Sequence, residues 1–372
     1  MGFNCGIVGL PNVGKSTIFN ALTAAGAASA NYPFCTIDPN VGRVDVPDTR
    51  LDQIASVIKT LKTIPASMEF VDIAGLVRGA SQGEGLGNQF LGHIRATDAI
   101  VNVVRCFEDT DITHVEGSVN PVRDIETIQA ELIYSDTGTV AKALERYRKF
   151  LKAGKKEHIA IVAMLEALDT HLQALKPGRT FDPMPFVGDV HEVSEAWRDL
   201  HLLTTKPAIY VCNVDENLAA GTGDNEHTKA VRAHAAKEGA QVILLCGKLE
   251  EEISTMAPED RKEMIAGLGM KEPGLNALIR AGYATLGLAT YFTAGEKEVR
   301  AWTIHQGDKA PAAAGKIHSD FERGFIRAEV YTIADLLKAG SKVKLKELGQ
   351  IRSEGKEYVV HDGDVMEFKF NV

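Results

Sequence analysis

A glycine-rich loop near the N-terminus constrains the fold of this chain more than any other feature. Gly9-Leu10-Pro11-Asn12-Val13-Gly14-Lys15-Ser16 fits the pattern G-x-x-x-x-G-K-[ST], between a predicted strand at residues 3–8 and a predicted helix at 15–25. In such a loop, backbone N–H groups surround phosphate, and the N-terminus of the helix adds positive potential. The sequence therefore predicts an α/β domain that binds a nucleoside triphosphate. The predicted nucleotide-binding residues are Asn12, Val13, Gly14, Lys15, Ser16 and Thr17.

A second motif, D-x-x-G, follows a predicted strand at residues 68–73. In Asp72-Ile73-Ala74-Gly75, Asp72 is expected to hold magnesium through water, and the N–H of Gly75 to contact the γ-phosphate. Thr36 lies between the first helix and the second strand. Taken alone, Thr36 is explained equally well as a loop residue whose hydroxyl is hydrogen-bonded to the backbone of that loop. The order of the motifs is typical of GTPase-like switch proteins rather than nucleotide kinases. The predicted magnesium ligands are Ser16, Thr36 and Asp72.

The motif that reads the base is altered in this chain. Where GTPases carry Asn-Lys-x-Asp, the sequence has Asn213-Val214-Asp215-Glu216. The usual Asp accepts two hydrogen bonds from guanine, whereas Glu216 is one methylene longer, and Val214 is apolar and can pack on either purine. Asn213 can serve the loop or accept a hydrogen bond from an adenine amine. We therefore expect Asn213, Val214 and Glu216 to contact the base, with ATP preferred over GTP by about tenfold or less.

The residue that positions the attacking water is also altered. Ras-like enzymes use a Gln after D-x-x-G, but this chain has Leu76, which cannot bond water. Turnover is therefore expected to be slow unless another group compensates. We nominate His114 together with Gly75 as the catalytic residues. The other polar candidates near the motif are Arg78, Glu84 and His93.

The pattern of strand-like and helix-like segments divides the chain into three predicted regions. Strand-like and helix-like segments alternate in residues 1–122 and 205–281, which predicts a G domain with a parallel-type sheet. Residues 123–204 contain apolar positions spaced four and three apart, which predicts an inserted α-helical, coiled-coil-like arm. Short β-like pieces in residues 282–372 predict a C-terminal α+β domain. The positions that carry the helical spacing are Val140, Leu144, Tyr147, Leu151, Ile161, Leu165, Leu168, Leu172 and Leu175.

Charge indicates where a partner binds. The formal net charge is −9, so the surface as a whole is unsuited to covering nucleic acid or an anionic membrane. A cluster near the predicted tip of the arm is the local exception, since six positive charges in eleven residues suit a phosphate backbone. A solvated hairpin tip is the alternative. The candidate RNA contacts are Arg146, Arg148, Lys149, Lys152, Lys155 and Lys156.

The cysteines and the N-terminus bear on compartment. Four cysteines lie in apolar, strand-like runs and are interpreted as buried hydrophobes, namely Cys5, Cys106, Cys212 and Cys246. Cys35 lies beside Thr36, where its oxidation would disturb that residue, or where it is an inert, partly buried thiol. The chain shows no signal peptide and no apolar run of the ~20 residues that span a bilayer. We expect a cytoplasmic protein.

Taken together, the motifs resemble the YchF family, the Obg-like ATPases, over essentially the whole chain. The resemblance rests on Gly9–Thr17, on residues 31–36, 72–77 and 83–88, and on the altered motif at 213–216. Near the C-terminus, residues 301–303, 318–328 and 362–364 resemble the TGS domain of that family. In older naming the family is called a GTP-dependent nucleic-acid-binding protein.

The resemblance implies function as well as architecture. It implies a G domain, a helical arm and a ubiquitin-like β-grasp (TGS) domain, with ATP preferred to GTP and a magnesium ion at Ser16 and Thr36. It also implies association with the ribosome, where we expect the large subunit to be the partner. The arm departs from the familiar bacterial pattern at residues 177–185. Two alternatives stay open: a GTPase of the same fold, and a ribosome- or nucleic-acid-binding protein whose nucleotide site is vestigial.

Overall fold

The chain divides into two compact units. The computed structural model describes residues 3–29, 40–73, 86–109, 114–115, 117–154, 158–187, 191–221 and 223–371. One unit is formed by Met1–Gly42 with Glu69–Leu278, and the other by Arg43–Met68 with Ile279–Val372. Residues 43–68 group with the C-terminal part of the chain, and the helical arm groups with the sheet into which it is inserted. The three predicted regions, 1–122 with 205–281, 123–204 and 282–372, stay a prediction.

The secondary structure alternates as the sequence predicts for most of the first unit. The strands are β1 (Asn4–Val8), β2 (Val41–Asp45), β3 (Thr63–Ile64), β4 (Ser67–Asp72), β5 (Ala99–Arg105), β6 (Ala208–Asn213), β7 (Gln241–Leu245), β8 (Leu288–Ala294), β9 (Val299–His305), β10 (Phe325–Thr332), β11 (Arg352–Glu354) and β12 (Asp364–Phe370). The helices are α1 (Lys15–Ser29), α2 (Thr49–Val57), α3 (Leu86–Arg95), α4 (Pro121–Lys152), α5 (Ile159–Gln173), α6 (Met184–Val187), α7 (His191–Asp199), α8 (Glu216–Ala220), α9 (Glu226–Ala236), α10 (Gly247–Thr255), α11 (Pro258–Gly267), α12 (Gly274–Thr285), α13 (Ala310–Ile317), α14 (Ser319–Arg323), α15 (Ile333–Ala339) and α16 (Lys342–Glu347), with a 3-10 turn at Gly178–Thr180.

A six-stranded sheet organises the nucleotide-binding end of the first unit. Its strand order is β2-β4-β1-β5-β6-β7, and β1 pairs in parallel with both β4 and β5. β6 and β7 continue the parallel pairing. Every residue of β5 is buried, as expected for a parallel strand covered on both faces. The carboxyl ends of β1, β4 and β6 therefore lie at one edge of the sheet, where ligands of open α/β sheets bind.

The arm is built on one long helix. Asn120 caps α4 by accepting a hydrogen bond from the Arg123 N–H at 3.1 Å, and Pro121 follows at the first helical position, where its missing N–H costs nothing. The predicted apolar positions Val140, Leu144 and Leu165 are buried in one cluster, which confirms the packing of α4 on α5. Leu175 is an exception: α5 ends at Gln173, and Leu175 is half exposed with φ 54°. The arm also has more parts than two helices, because α7 buries Val193 and Ala196 against the same cluster.

A buried carboxylate fixes α4 to the segment that leads into β6. Asp136 accepts hydrogen bonds from the backbone N–H groups of Leu203 and Thr204, both at 2.8 Å, and from the Thr204 hydroxyl at 2.6 Å. Burial raises the pKa of Asp136, and these three donors oppose that rise. The middle of the arm helix is thereby held to the chain that re-enters the sheet.

The second unit has a sheet of its own, in the order β11-β10-β12-β8-β9-β3. Antiparallel pairs β8–β9 and β10–β12 are joined by a parallel contact between β12 and β8. The sequence misses β8, which lacks clear alternation. A single antiparallel bridge between Lys309 and Val359 lies outside these strands. No helix in the described part of the chain has the length and apolarity needed to cross a bilayer.

Candidate nucleotide site

The phosphate loop has the backbone that the motif requires. Asn12 and Gly14 have φ values of 64° and 93°, in the left-handed region that favours glycine. A Cβ built on Gly14 would lie 2.1 Å from Nδ2 of Asn213, so both backbone and space demand glycine there. Val13 is buried and anchors the loop, while α1 begins at Lys15 directly after it. The loop thus ends at a helix N-terminus, which is an anion-binding position.

Lys15 and Asp72 form an ion pair at the carboxyl ends of β1 and β4. The Lys15 ammonium contacts a carboxylate oxygen of Asp72, and both side chains are largely buried. Ser16 stands exposed in the first turn of α1. A hydroxyl and a carboxylate are the hard oxygen donors that suit magnesium, so these residues fit the ion. Among the residues that the structure describes, no three His, Cys, Asp or Glu side chains come together in a group that could hold a metal ion. Thr36 and Gly75 lie outside the described residues.

Both ends of the Asn213 carboxamide form hydrogen bonds with the protein backbone. Its Nδ2 donates to the carbonyl of Val13 at 2.9 Å, and its Oδ1 accepts from the N–H of Gly247 at 2.9 Å. The side chain is 5% exposed. Of the two roles expected from sequence, the geometry favours support of the loop, because both ends of the carboxamide are already used. Asn213 therefore joins the phosphate loop to the start of α10.

A cavity of about 430 Å³ lies beside the phosphate loop and has the size of a ligand pocket. Glu216 stands at its rim, half exposed, with Lys248 of α10 at 3.7 Å. Val214 also borders the cavity, but its side chain is 1% exposed and packs in an apolar cluster with Cys212 and Val231. The Val214 side chain is thus part of the core in this structure, and its contact with the purine stays a prediction. The cavity is lined by Asn12, Gly14, Thr17, Phe107, Glu108, Asp109, Asn213, Val214, Asp215, Glu216, Asn217, Cys246 and Lys248.

Sequence reasoning missed one wall of this cavity. Phe107, Glu108 and Asp109 follow β5, and the buried Arg105 at the end of that strand holds their backbone. Its Nε donates to the carbonyl of Phe107 at 3.1 Å, and an Nη donates to the carbonyl of Asp109 at 2.9 Å. The guanidinium carbon also lies 4.7 Å from the centre of the Phe107 ring. An arginine closing a run of buried apolar residues is the signal that could have identified it. Lys248 was missed as well.

His114 is buried at the base of the arm. Its side chain is 4% exposed, and Nε2 lies 2.9 Å from Oδ2 of Asp124 in the first turn of α4. Asp124 also contacts the guanidinium of Arg123 at 3.2 Å. The nominated catalytic ring is therefore engaged with protein in this structure. Of the other candidates, His93 is exposed at the end of α3. Leu76, Arg78, Glu84 and Cys35 lie outside the described residues.

The cysteines predicted to be buried are buried. Cys5, Cys106, Cys212 and Cys246 are each exposed by 6% or less. Burial, followed by the negative charge of Asp98, raises the pKa of the Cys5 thiol to about 12. These thiols are small hydrophobes of the core.

The basic cluster of the arm is partly neutralised by neighbours. Arg148 contacts Glu166 at 2.7 Å, and Lys149 contacts Glu145 at 2.8 Å, with all four side chains more than half exposed. The Arg146 guanidinium lies over the ring of Tyr147 at 4.8 Å. Lys152 is exposed, and Lys155 and Lys156 lie outside the described residues. The free positive charge is thus smaller than the sequence suggests, although exposed pairs exchange readily.

The parallel sheet, the phosphate loop and the Lys15–Asp72 pair define a P-loop protein of the GTPase class. Comparison supports this: a family model described as a 50S ribosome-binding GTPase matches residues 4–143. A second model, named YchF-GTPase_C and described as a protein of unknown function, matches residues 288–371.

Full-length relatives narrow the class to one family. The chain is 53% identical over 372 residues to the ribosome-binding ATPase YchF of Bacillus subtilis (strain 168), and each chain is covered completely. The ribosome-binding ATPase YchF of Escherichia coli O157:H7 gives the same identity and coverage. A solved structure of the Schizosaccharomyces pombe YchF GTPase matches with a TM-score of 0.86 at 39% identity, covering 99% of this chain and 98% of that one. The chain belongs to the YchF family.

Proposed function

We propose that this protein is a magnesium-dependent ATPase of the cytoplasm that binds GTP more weakly and associates with the ribosome. The observation that carries the proposal is the Lys15–Asp72 ion pair beside an ordered phosphate loop. Both motifs of a working triphosphate site have the residues that the chemistry needs, which argues against a vestigial site. The printed names of the bacterial relatives, ribosome-binding ATPase, support the choice of nucleotide and of partner.

The residues of the loop would divide the work of binding and cleavage. Backbone N–H groups of residues 12–17 bind the phosphates, and Lys15 exchanges Asp72 for the β- and γ-phosphate oxygens. Asp72, Ser16 and Thr36 would hold magnesium, which supplies neutralisation of the charge that develops on the phosphates. Gly75 contributes its N–H to the γ-phosphate.

The cavity beside the phosphate loop, which we assign to the base, lacks the Asp with which GTPases bind guanine. A carboxylate facing two guanine donors normally favours guanine, because leaving it unpaired costs more than the bonds contribute. Here Glu216 is longer and has Lys248 beside it, and Asn213 supports the loop. We therefore expect ATP to bind more tightly than GTP by about tenfold or less, because guanine contacts are lost without a dedicated adenine clamp.

Competition binding tests this function. Purified protein with magnesium is titrated with a fluorescent ATP analogue, then with unlabelled ATP and GTP as competitors. Glu216→Asp should move the preference toward GTP. It is a better probe than Val214→Lys, which would bury an ammonium in the apolar cluster. Lys15→Ala is the control and should abolish binding of both nucleotides, since it removes the charge that meets the phosphates.

A GTPase of the same fold is the second candidate. The printed title of the fission-yeast structure, YchF GTPase, favours it. Tight binding of GTP by the parent protein, with ATP unable to compete at the same concentration, would establish the GTPase and reject the ATPase. Near-normal affinity in Lys15→Ala would reject the site itself.

A further inference from the structure

The second unit exposes two large apolar side chains in one groove. Among the residues that the structure describes, Leu61 and Val343 are the most exposed large hydrophobic side chains, at 89% and 69%. Both line a groove of about 730 Å³ whose walls are residues 57–61, the turn 294–297 between β8 and β9, and residues 341–343 at the start of α16. Single exposed apolar residues are ordinary, but convergence in one concave site is typical of an interaction surface.

The exposure of Leu61 is imposed by ordered backbone. The Leu61 N–H donates to the carbonyl of Glu296 at 3.0 Å, and the Val299 N–H donates to the carbonyl of Lys62 at 2.9 Å. These bonds fix the chain on both sides of the Leu61 side chain to the β8–β9 turn. On the opposite wall, the Ser341 hydroxyl accepts from the Lys344 N–H at 3.2 Å and caps α16, next to Val343. The groove is therefore formed before any partner arrives, which lowers the entropy cost of binding.

The charge around the groove is mainly positive. Lys59, Lys297 and Lys342 line it together with one acid, Glu296. Lys342 is paired with Glu367, whereas Lys59 and Lys297 are exposed and have no ion-pair partner within the described chain. Lys62 and Lys344 follow the lining residues Leu61 and Val343 directly, and both are exposed. A partner that seats here must therefore supply apolar side chains and negative charge together.

We propose that this groove binds an acidic, amphipathic segment of another protein. The partner would insert apolar side chains between Leu61 and Val343 while its carboxylates meet Lys59 and Lys297. A polypeptide fits better than RNA, because the lining contains neither the arginine nor the aromatic side chains that stack on bases. This surface goes beyond the proposed function, since the nucleotide-binding residues belong to the other unit.

A designed peptide tests the surface on the full chain. The probe is a fluorescein-labelled synthetic helix with Leu at positions i, i+3, i+4 and i+7 and Glu elsewhere, measured by anisotropy. A version with Lys in place of Glu is the comparison. The parent protein should bind the acidic peptide in the micromolar range, more weakly as salt rises, and should not bind the basic one. Leu61→Asp and Val343→Asp should each weaken binding at least tenfold.

Matched controls separate the groove from general surface effects. Ile326→Asp changes another exposed apolar residue of the same unit, and Lys356→Glu changes another exposed lysine without an ion-pair partner in the described residues. Both should bind like the parent, whereas Lys59→Glu with Lys297→Glu should abolish binding. All variants should keep the parent melting temperature and ATP hydrolysis, since the altered side chains are exposed.

Four outcomes would overturn the proposal. The first is a parent that does not bind the acidic peptide, and the second is equal affinity of the parent and the Leu61→Asp variant. The third is displacement of the peptide by a single-stranded RNA oligonucleotide, and the fourth is self-association of the parent that Val343→Asp abolishes. Either of these last two would assign the groove to a different occupant. Loss of ATP hydrolysis in Lys15→Ala, by contrast, bears only on the proposed function.

Discussion

At the scale of single residues, two buried polar side chains fix the loops that form the nucleotide site. Asn213 and Arg105 both direct their polar groups at backbone atoms of loops that border the cavity. Each would leave buried carbonyl or N–H groups unpaired if truncated, at about 1–3 kcal/mol per group. These residues act on nucleotide binding through the shape of the loops.

His114 yields a prediction about hydrolysis. We expect His114→Ala to bind ATP normally but to hydrolyse it about a hundredfold more slowly, because the imidazole would orient water in place of the missing Gln. The ring must first exchange its contact with Asp124 for that water. Single-turnover hydrolysis and equilibrium binding measure the two effects separately.

The control for His114 is His93→Ala, which changes an exposed histidine at the end of α3. It should keep the parent rate. If His114→Ala also hydrolyses ATP at the parent rate while binding normally, another group positions the water.

At the scale of secondary-structure elements, the base of the arm depends on one buried ion pair. Arg179, in the 3-10 turn, contacts Glu238 at 2.7 Å, between α9 and β7, and both side chains are 12% exposed or less. The Tyr210 hydroxyl and the Gln129 amide also donate to Glu238, at 2.8 and 3.1 Å, and His234 lies 3.7 Å away. Burial acts to raise the pKa of Glu238, but Arg179 and these donors outweigh it and hold that pKa below its ordinary value.

Arg179→Ala should therefore destabilise the protein in a pH-dependent way. Removing one partner of a buried pair costs about 3–5 kcal/mol of unfolding free energy near neutral pH. Because the folded-state pKa of Glu238 is lowered, its contribution is present above the ordinary glutamate pKa and is lost as the pH falls through the folded value. The difference in unfolding free energy between the parent and Arg179→Ala should thus become smaller as the pH falls below about 4.3. Urea unfolding at several pH values measures it.

An exposed pair provides the comparison for Arg179. Arg232 contacts Asp224 at 2.9 Å near the surface, and Arg232→Ala should cost less than about 1 kcal/mol. A loss in Arg179→Ala that is as small as in Arg232→Ala, or that does not vary with pH, would show that the pair does not anchor the arm.

At the scale of the whole molecule, the run of basic residues at 146–156, near the tip of the arm, stands out in a chain whose net charge is −9. We predict that Arg146→Glu with Lys152→Glu weakens ribosome binding, most strongly at low salt, and lowers the salt dependence by about one unit per lost phosphate contact. Arg148→Glu is a less direct test of the phosphate contact, since it removes a positive charge and also breaks the ion pair between Arg148 and Glu166. Sedimentation with ribosomes at several salt concentrations measures this.

Lys262→Glu, on the exposed side of α11, is the matched control and should sediment with ribosomes as the parent does. Unchanged binding by the arm variant would move the ribosome contact to the C-terminal unit.

Features of the fold and of the nucleotide site could be predicted where the interacting residues lie close together in the sequence, and could not where they lie far apart. The phosphate loop and Asp72 carry local motifs, and the arm helices carry a local period, so both were predicted. Asn213 braces a loop 200 residues away, and its role follows only from three-dimensional proximity. Residues 43–68 join the second unit through contacts such as Arg50 with Asp362 at 2.7 Å, for which the sequence contains no local signal. Strand β8 is hidden because pairing, not alternation, defines it.

The length of α4 has a mechanical consequence. Its 32 residues give a rod of about 48 Å, with the His114 contact in its first turn and the basic residues at its far end. Because Asp136 holds the middle of the helix to Leu203 and Thr204, the part that is free to tilt is the half from Asp136 to Lys152, about 24 Å long. A tilt of about 5° in that half would carry its tip sideways by about 2 Å, so a small change in the packing around Asp136 would shift the basic residues relative to whatever they contact.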